Sequence, residues 1–170
     1  TETQSILGDI KIVDFDLPEI QGTPEEVAND KCRKAAKIIK GPVLIEDTSL
    51  SFDALNGLPG VYIKDFYKKL KNQGLVKLIS NYDTNRATAR CIFAYSSGPN
   101  DQPKLFIGET LGSIVDPRGS NNFGWDPIFE PLGYQETYAQ LDSITKNKIS
   151  HRLKALQLVK EYFLKKNTVE

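Results

Sequence analysis

The stretch VLIEDTSLSF, residues 43–52, constrains this chain more than any other. Val43, Leu44, Ile45, Leu50 and Phe52 call for a strand buried on at least one face, yet Glu46 and Asp47 sit in its middle. A buried carboxylate without a partner costs several kcal/mol or shifts its pKa. Two readings follow. In one, the strand end meets solvent, or Asp47 or Thr48 caps a turn. In the other, the carboxylates hold a hard cation such as Mg²⁺. Adjacent strand residues point to opposite faces, so only one of the two can aim into a given cleft.

Within 170 residues one domain is expected, or two lobes sharing one core. Lys plus Arg and Asp plus Glu both number 22, so the chain lacks the basic excess that gives nucleic-acid binders their affinity. A local basic pocket for a small polyanion stays compatible with that balance. No apolar run approaches the roughly 20 residues that span a bilayer, and no signal-peptide pattern opens the sequence. Cys32 and Cys91 make no disulfide framework and read as buried thiols, which fits a cytoplasmic location.

Along the chain, KIVDFDL (11–17) reads as a short strand closed by Pro18 and Gly22. TPEEVANDKCRKAAKIIK reads as a helix: Thr23 as N-cap, Pro24 at the first position and Glu26 completing a capping box. Val27, Ala28, Cys32, Ala35, Ala36 and Ile39 recur at helical spacing, and Gly41-Pro42 ends the helix. A turn is expected at 57–60, then helical segments near 61–70 and 74–81 parted by Asn72 and Gly74. Residues 87–97 alternate as a strand. Lys104 to Val115 supplies its partner, with Gly108 and Gly112 as candidate bulges. Residues 116–134 read as a long irregular loop, and a last helix as running from Lys146 to Phe163.

Four further features break local rules, and such breaks are where function is sought. Lys31 falls inside the apolar helical face between Val27 and Ala35. It either snorkels at the edge or points a cation into a cleft. GLPGVYIKDF brackets Pro59 between glycines and delivers Lys64 just after a rigid turn. SNNFGWDPIF puts Phe123, Trp125 and Asp126 around Gly124 without periodicity, so its rings either cover a core edge or stack on a planar ligand. SHR places His151 and Arg152 on the last helix, with no nucleophile pattern and no Gly-rich phosphate loop of the usual types. Taken together, carboxylates, lysines, aromatics and a terminal arginine suit a nucleoside triphosphate with Mg²⁺.

These segments in order, LPEIQG, KC, GPVLIEDTSLSFDALNGLPGVYIK, FGWDPIF and KNKISHR, closely resemble the inosine triphosphate pyrophosphatase family from about Ile6 to Phe163. EDT resembles the eukaryotic branch. The resemblance implies an α/β fold with an elongated mixed β-sheet, flanking helices, two lobes around a central cleft and a homodimer. It implies hydrolysis of ITP, dITP and XTP to the monophosphate and pyrophosphate with Mg²⁺, or Mn²⁺ in its place, and no nucleic-acid or membrane partner. Glu19 and Asp47 match the metal carboxylates. Asp47 also matches the general base, with Glu46 beside it. Lys31, Lys64 and Thr48 match triphosphate-binding positions. Phe123, Gly124, Trp125 and Asp126 match the loop that holds base and sugar, Lys146 matches a further binding lysine, and His151 with Arg152 matches the pair that reads the purine's keto edge.

Members of the family begin with an apolar strand and a Thr/Ser-x-Asn-x-x-Lys phosphate loop, and these 170 residues contain no such motif. The chain is therefore expected to be a piece of a longer protein or a variant without that loop. Catalysis is expected to be impaired as it stands and restored by adding the segment. The competing readings are a purine-nucleotide-binding or dimerising module without turnover, and a pyrophosphatase for a modified pyrimidine nucleotide.

Overall fold

The computed structural model describes residues 10–14, 16–120 and 122–167. In chain order it contains α1 (Pro24–Ile39), β1 (Val43–Phe52), β2 (Pro59–Gly60), α2 (Ile63–Leu78), β3 (Arg86–Ser96), β4 (Lys104–Ile114), β5 (Phe129–Pro131), α3 (Ser143–Ile149) and α4 (His151–Asn167). The strands lie in the order β2-β1-β3-β4-β5. The α/β class is borne out, but the described sheet is antiparallel rather than mixed. The turn after β1 folds the chain back as β2 before α2 begins, so Leu50 faces Gly60 and Ser51 faces Pro59.

Contacts divide the chain into two compact units. The first holds residues up to Asp47, Cys91–Gly108 and Arg152 onward; the second holds Thr48–Arg90 and Glu109–His151. In the first unit the strand period of two sorts side chains cleanly. Val43, Ile45, Ile92, Ala94, Leu105 and Ile107 pack with Ala28 and Cys32 of α1. Leu44, Cys91, Phe93 and Phe106 pack with Ala155, Leu156 and Val159 of α4. Fully buried members such as Ile92, Phe93 and Leu156 each contribute about 1.5–3 kcal/mol. At the far end of α4, Phe163 meets Tyr95 edge-on at 4.9 Å, and Lys104 Nζ lies 4.4 Å from the Tyr162 ring centroid. In the second unit Leu50, Phe52, Ile63, Leu75, Ala87, Ile114, Ile128, Phe129 and Tyr138 form the core.

Local expectations hold best for α1. The Glu26 amide donates to Thr23 Oγ1 at 3.2 Å, and Glu26 Oε2 accepts from the Thr23 amide at 2.9 Å. The helix closes on Lys40 in the left-handed region, φ 57°, one residue before the expected Gly41. Both cysteines are buried. The two helical segments expected after the turn form α2, broken at Lys71, whose φ of 56° and ψ of −178° lie outside helical space.

Other expectations are corrected. The described residues of 11–17 form no strand, and Ile12 and Val13 are exposed. A strand needs a neighbour to bond, and propensity alone does not make one. Gly112 is not a bulge: Gly112, Ser113 and Ile114 pair in unbroken register with Pro131, Glu130 and Phe129. It is small because a Cβ there would lie 2.7 Å from Phe129 Cζ. The loop 116–134 contains a 3₁₀ turn at Asp126–Ile128 and the strand β5. The last helix is two helices, because buried Ser150 is extended at φ −68°, ψ 147°. The break sets His151 and Arg152 in the first turn of α4.

Candidate active site

In the first unit, α1 carries Lys31 to β1. Its Nζ donates to Glu19 Oε1 at 3.0 Å and to Asp47 Oδ1 at 3.2 Å. The Lys31 and Asp47 side chains are only 16% and 15% exposed. The lysine on the apolar face therefore points inward at a carboxylate pair. Burial pushes the Asp47 carboxyl above its ordinary range, and Lys31 only partly offsets this. For Lys31, burial works against the charged form, but Asp47 and Glu19 together outweigh it and raise its pKa.

Glu46 does not join this group. Its Oε1 accepts from Arg152 Nε at 2.6 Å and lies 3.9 Å from the Cys91 thiol. Alternation along β1 thus gives Asp47 to α1 and Glu46 to α4.

In the second unit, Lys146 of α3 donates to Asp126, which is buried in the 3₁₀ turn. Lys146 Nζ also sits 5.9 Å from the Phe123 ring centroid and 5.2 Å from that of Tyr138. Phe123 is 67% exposed. Gly124 has φ +55°, a conformation that side chains rarely adopt. Its carbonyl accepts from Asn72 Nδ2 at 3.1 Å. Trp125 packs 5.6 Å from both the Phe129 and His151 ring centroids. His151 is 8% exposed and stacks on Tyr138 at an interplanar angle of 18°. Thr48 lies half-buried on β1, and Lys64 is exposed in the first turn of α2.

The structure therefore brings together Glu19, Lys31 and Asp47; separately Glu46 and Arg152; and, in the second unit, Phe123, Gly124, Trp125, Asp126, Lys146 and His151.

A model of the Ham1 family matches residues 1–162.

The chain belongs to the Ham1 family.

The expected kinship with inosine triphosphate pyrophosphatases is thereby borne out. The Ham1 chain is similar to a HAM1 protein from Coxiella burnetii, with 32% identity, a TM-score of 0.87 and coverage of 96% of this chain and 92% of that one. It is similar to the Staphylococcus aureus Ham1 protein, with 32% identity, a TM-score of 0.85 and coverage of 97% and 92%. A nucleoside-triphosphatase, or dITP/XTP pyrophosphatase, from Mycobacterium abscessus matches at 29% identity and a TM-score of 0.72, covering 87% of this chain and 82% of that one.

Two residues of this Ham1 chain escaped the sequence reading. Tyr138 is fully buried between the His151 and Phe129 rings. A buried phenol needs a hydrogen-bond partner, and that need was the available signal, but its burial is invisible in GYQETYAQLD. Asn72 was read as a helix separator; its side chain also tethers the aromatic loop.

Proposed function

We propose that this chain hydrolyses deaminated purine nucleoside triphosphates, ITP, dITP and XTP, to the monophosphate and pyrophosphate with Mg²⁺. The class, a nucleoside triphosphate pyrophosphatase, follows from the family. The observation that carries the finer reading is the convergence of Glu19 and Asp47 on one cationic centre, the Lys31 ammonium.

Two oxygen-donor carboxylates aimed at one positive charge fit a magnesium ion, which commonly takes one or two carboxylates and completes its shell with water and substrate phosphate. Among the described residues no group of three or more His, Cys, Asp or Glu forms a fuller cage. Glu19 and Asp47 would hold the ion, which when bound neutralises charge on the phosphate oxygens.

The remaining steps belong to side chains. Water attacks the α-phosphorus, Asp47 accepts its proton, the bond to the bridging oxygen breaks, and pyrophosphate leaves. Burial raises the pKa of Asp47, which makes its ionised carboxylate a stronger proton acceptor. Lys31 and Lys64 stabilise charge on the triphosphate, with Thr48 beside them. Phe123, exposed and beside the Lys146 ammonium, offers its ring to the base, and Gly124, Trp125 and Asp126 support it.

Arg152 supplies specificity. Glu46 accepts from its Nε and so sets the guanidinium plane. A guanidinium only donates hydrogen bonds. The C6 carbonyl of hypoxanthine or xanthine accepts them; the C6 amine of adenine does not, and leaves a donor unpaired.

A homodimer in the cytoplasm belongs to the same reading, and sedimentation checks the dimer. Pyrophosphate release from ITP and from ATP, with and without Mg²⁺, tests the function. ITP is expected to be hydrolysed, ATP poorly, and Asp47→Asn to abolish turnover. Equal turnover of ATP and ITP would sink the role of Arg152. Tight ITP binding without pyrophosphate release would favour the binding-module reading.

A further inference from the structure

Three segments of the first unit meet at the Lys31 ammonium. Lys31 comes from α1, Asp47 from β1 and Glu19 from the irregular segment before α1. Nζ lies 3.0 Å from Glu19 Oε1 and 3.2 Å from Asp47 Oδ1. With both carboxylates ionised, two negative charges share one positive charge, and one negative charge is left over.

The backbones that carry these groups are anchored by contacts that do not involve Lys31 Nζ. Ala28 and Cys32 pack α1 against Ile92 and Ala94, and the Cys32 thiol donates to the Ala94 carbonyl at 3.3 Å. One turn beyond Lys31, Lys34 Nζ donates to the Pro18 carbonyl at 3.3 Å, beside Glu19. Asp30 Oδ2 lies 2.5 Å from that same Lys34 ammonium. Asp47 is held within β1. The Lys31 side chain, by contrast, is a point charge on a flexible four-carbon stem. It is free to swing while both carboxylates stay where they are.

We infer that Lys31 is an exchangeable occupant of the Glu19–Asp47 pair: it yields the pair to a divalent cation, refuses it to a monovalent one, and turns to the triphosphate only after the exchange. This rests on the proposed function, in which Glu19 and Asp47 hold Mg²⁺ and Lys31 meets phosphate. It adds an order of events and a charge filter. A monovalent ion replaces one unit charge with another, so it gains no Coulomb energy and forfeits two charge-assisted hydrogen bonds. A divalent ion brings the second unit of charge that the pair lacks. The released ammonium then has all three of its donors for phosphate oxygens. Apparent cation affinity falls by the fraction of molecules in which the pair is free. If Lys31 holds the pair in about nine molecules of ten, affinity is about tenfold weaker than the carboxylates alone would give.

Two measurements on the whole chain without nucleotide test the exchange. Amine labelling read by mass spectrometry follows Lys31 in the wild type, where its side chain is only 16% exposed. Mg²⁺ should raise labelling at Lys31 and leave Lys34 unchanged; Na⁺ at matched ionic strength should change neither. Thermal melts titrated with MgCl₂ or NaCl, against tetramethylammonium chloride at equal ionic strength, report binding as a rise in Tm. The wild type should respond to Mg²⁺ and not to Na⁺. Lys31→Met keeps the stem and removes the charge. It should bind Mg²⁺ about tenfold more tightly and gain a response to Na⁺. Lys31 labelling that stays level or falls with Mg²⁺ overturns the inference, even if the variant does not fold. So does a folded variant that binds Mg²⁺ no more tightly than the wild type, or one that still ignores Na⁺. A chain that hydrolyses ITP with Lys31 labelling unmoved by Mg²⁺ defeats the exchange alone. A chain that meets every expectation but releases no pyrophosphate from ITP defeats the proposed function and leaves the exchange standing.

Discussion

Lys71 allows a prediction in which the sign of the effect decides the matter. Its φ of 56° with ψ of −178° lies at the border of a region that is essentially glycine's own, and a non-glycine residue there costs about 1–3 kcal/mol. Its Nζ also sits 5.4 Å from the Tyr67 ring centroid, so Lys71→Gly would change a surface contact as well as the backbone. Comparing Lys71→Ala with Lys71→Gly removes that complication, since both lose the ammonium. In an unbroken helix glycine would be less stable than alanine by about 1 kcal/mol. At a true break, relief of strain exceeds the roughly 0.5–1 kcal/mol entropic cost of glycine, so glycine should be the more stable by about 1 kcal/mol. The two cases differ by about 2 kcal/mol, or roughly 4–8 °C in Tm for a chain of this size. Urea denaturation and thermal melts of both variants measure the difference. An alanine variant more stable than the glycine variant would refute the broken helix and, with it, the account of how Asn72 reaches the Gly124 carbonyl. Asn72→Ala should in turn cost about 1–2 kcal/mol through the lost bond and the stranded carbonyl, and raise KM for ITP.

Other expectations concern the same unit. Burial pushes the Tyr138 phenol up to about 12, against about 10 when unfolded. The folded state therefore keeps that proton longer. The resulting stability is complete below pH 10 and is lost as pH rises toward 12. Relative to Tyr138→Phe, the wild type should lose on the order of 1 kcal/mol between pH 9 and 11, measured by urea denaturation at each pH; parallel curves would contradict it. Gly112→Ala would set a methyl group 2.7 Å from Phe129 Cζ and closer still to the Glu130 carbonyl. Overpacking of this kind should cost about 1–3 kcal/mol, visible as a lowered Tm.

What could be read from the sequence was mostly what short-range physics decides. The Thr23–Glu26 capping box and the Val27–Cys32–Ala35 stripe are complete within one helix, and both are present. The alternation of 87–97 became β3 because a strand's two faces are written into every second residue. Lys31 was legible as a break in the apolar stripe that either snorkels or points inward, but not as the cation that Glu19 and Asp47 share, because that depends on where α1 lands on β1.

The misreadings share a cause in long-range pairing. Ile12 and Val13 look strand-like but are exposed in an irregular segment. β5 is three residues long and exists through its register with β4. The break at Ser150 hides because Ile149, Leu153 and Leu156 continue the apolar spacing across it. That break matters for the site, since it starts α4 at His151. Of the residues carried by the family resemblance, Glu19 and Asp47 share the Lys31 ammonium, and Glu46 pairs with Arg152.

Trp125 is the only tryptophan in the chain, and it lies 5.6 Å from the only histidine, ring centroid to ring centroid. All tryptophan emission thus arises from one position, beside the loop that offers Phe123 to a base. An imidazolium at that range quenches indole fluorescence more strongly than neutral imidazole does. Excited at the red edge of its absorption, where the seven tyrosines contribute little, the indole of the unlabelled protein should therefore report the charge on His151 during titration, and nucleotide occupancy in a single cuvette.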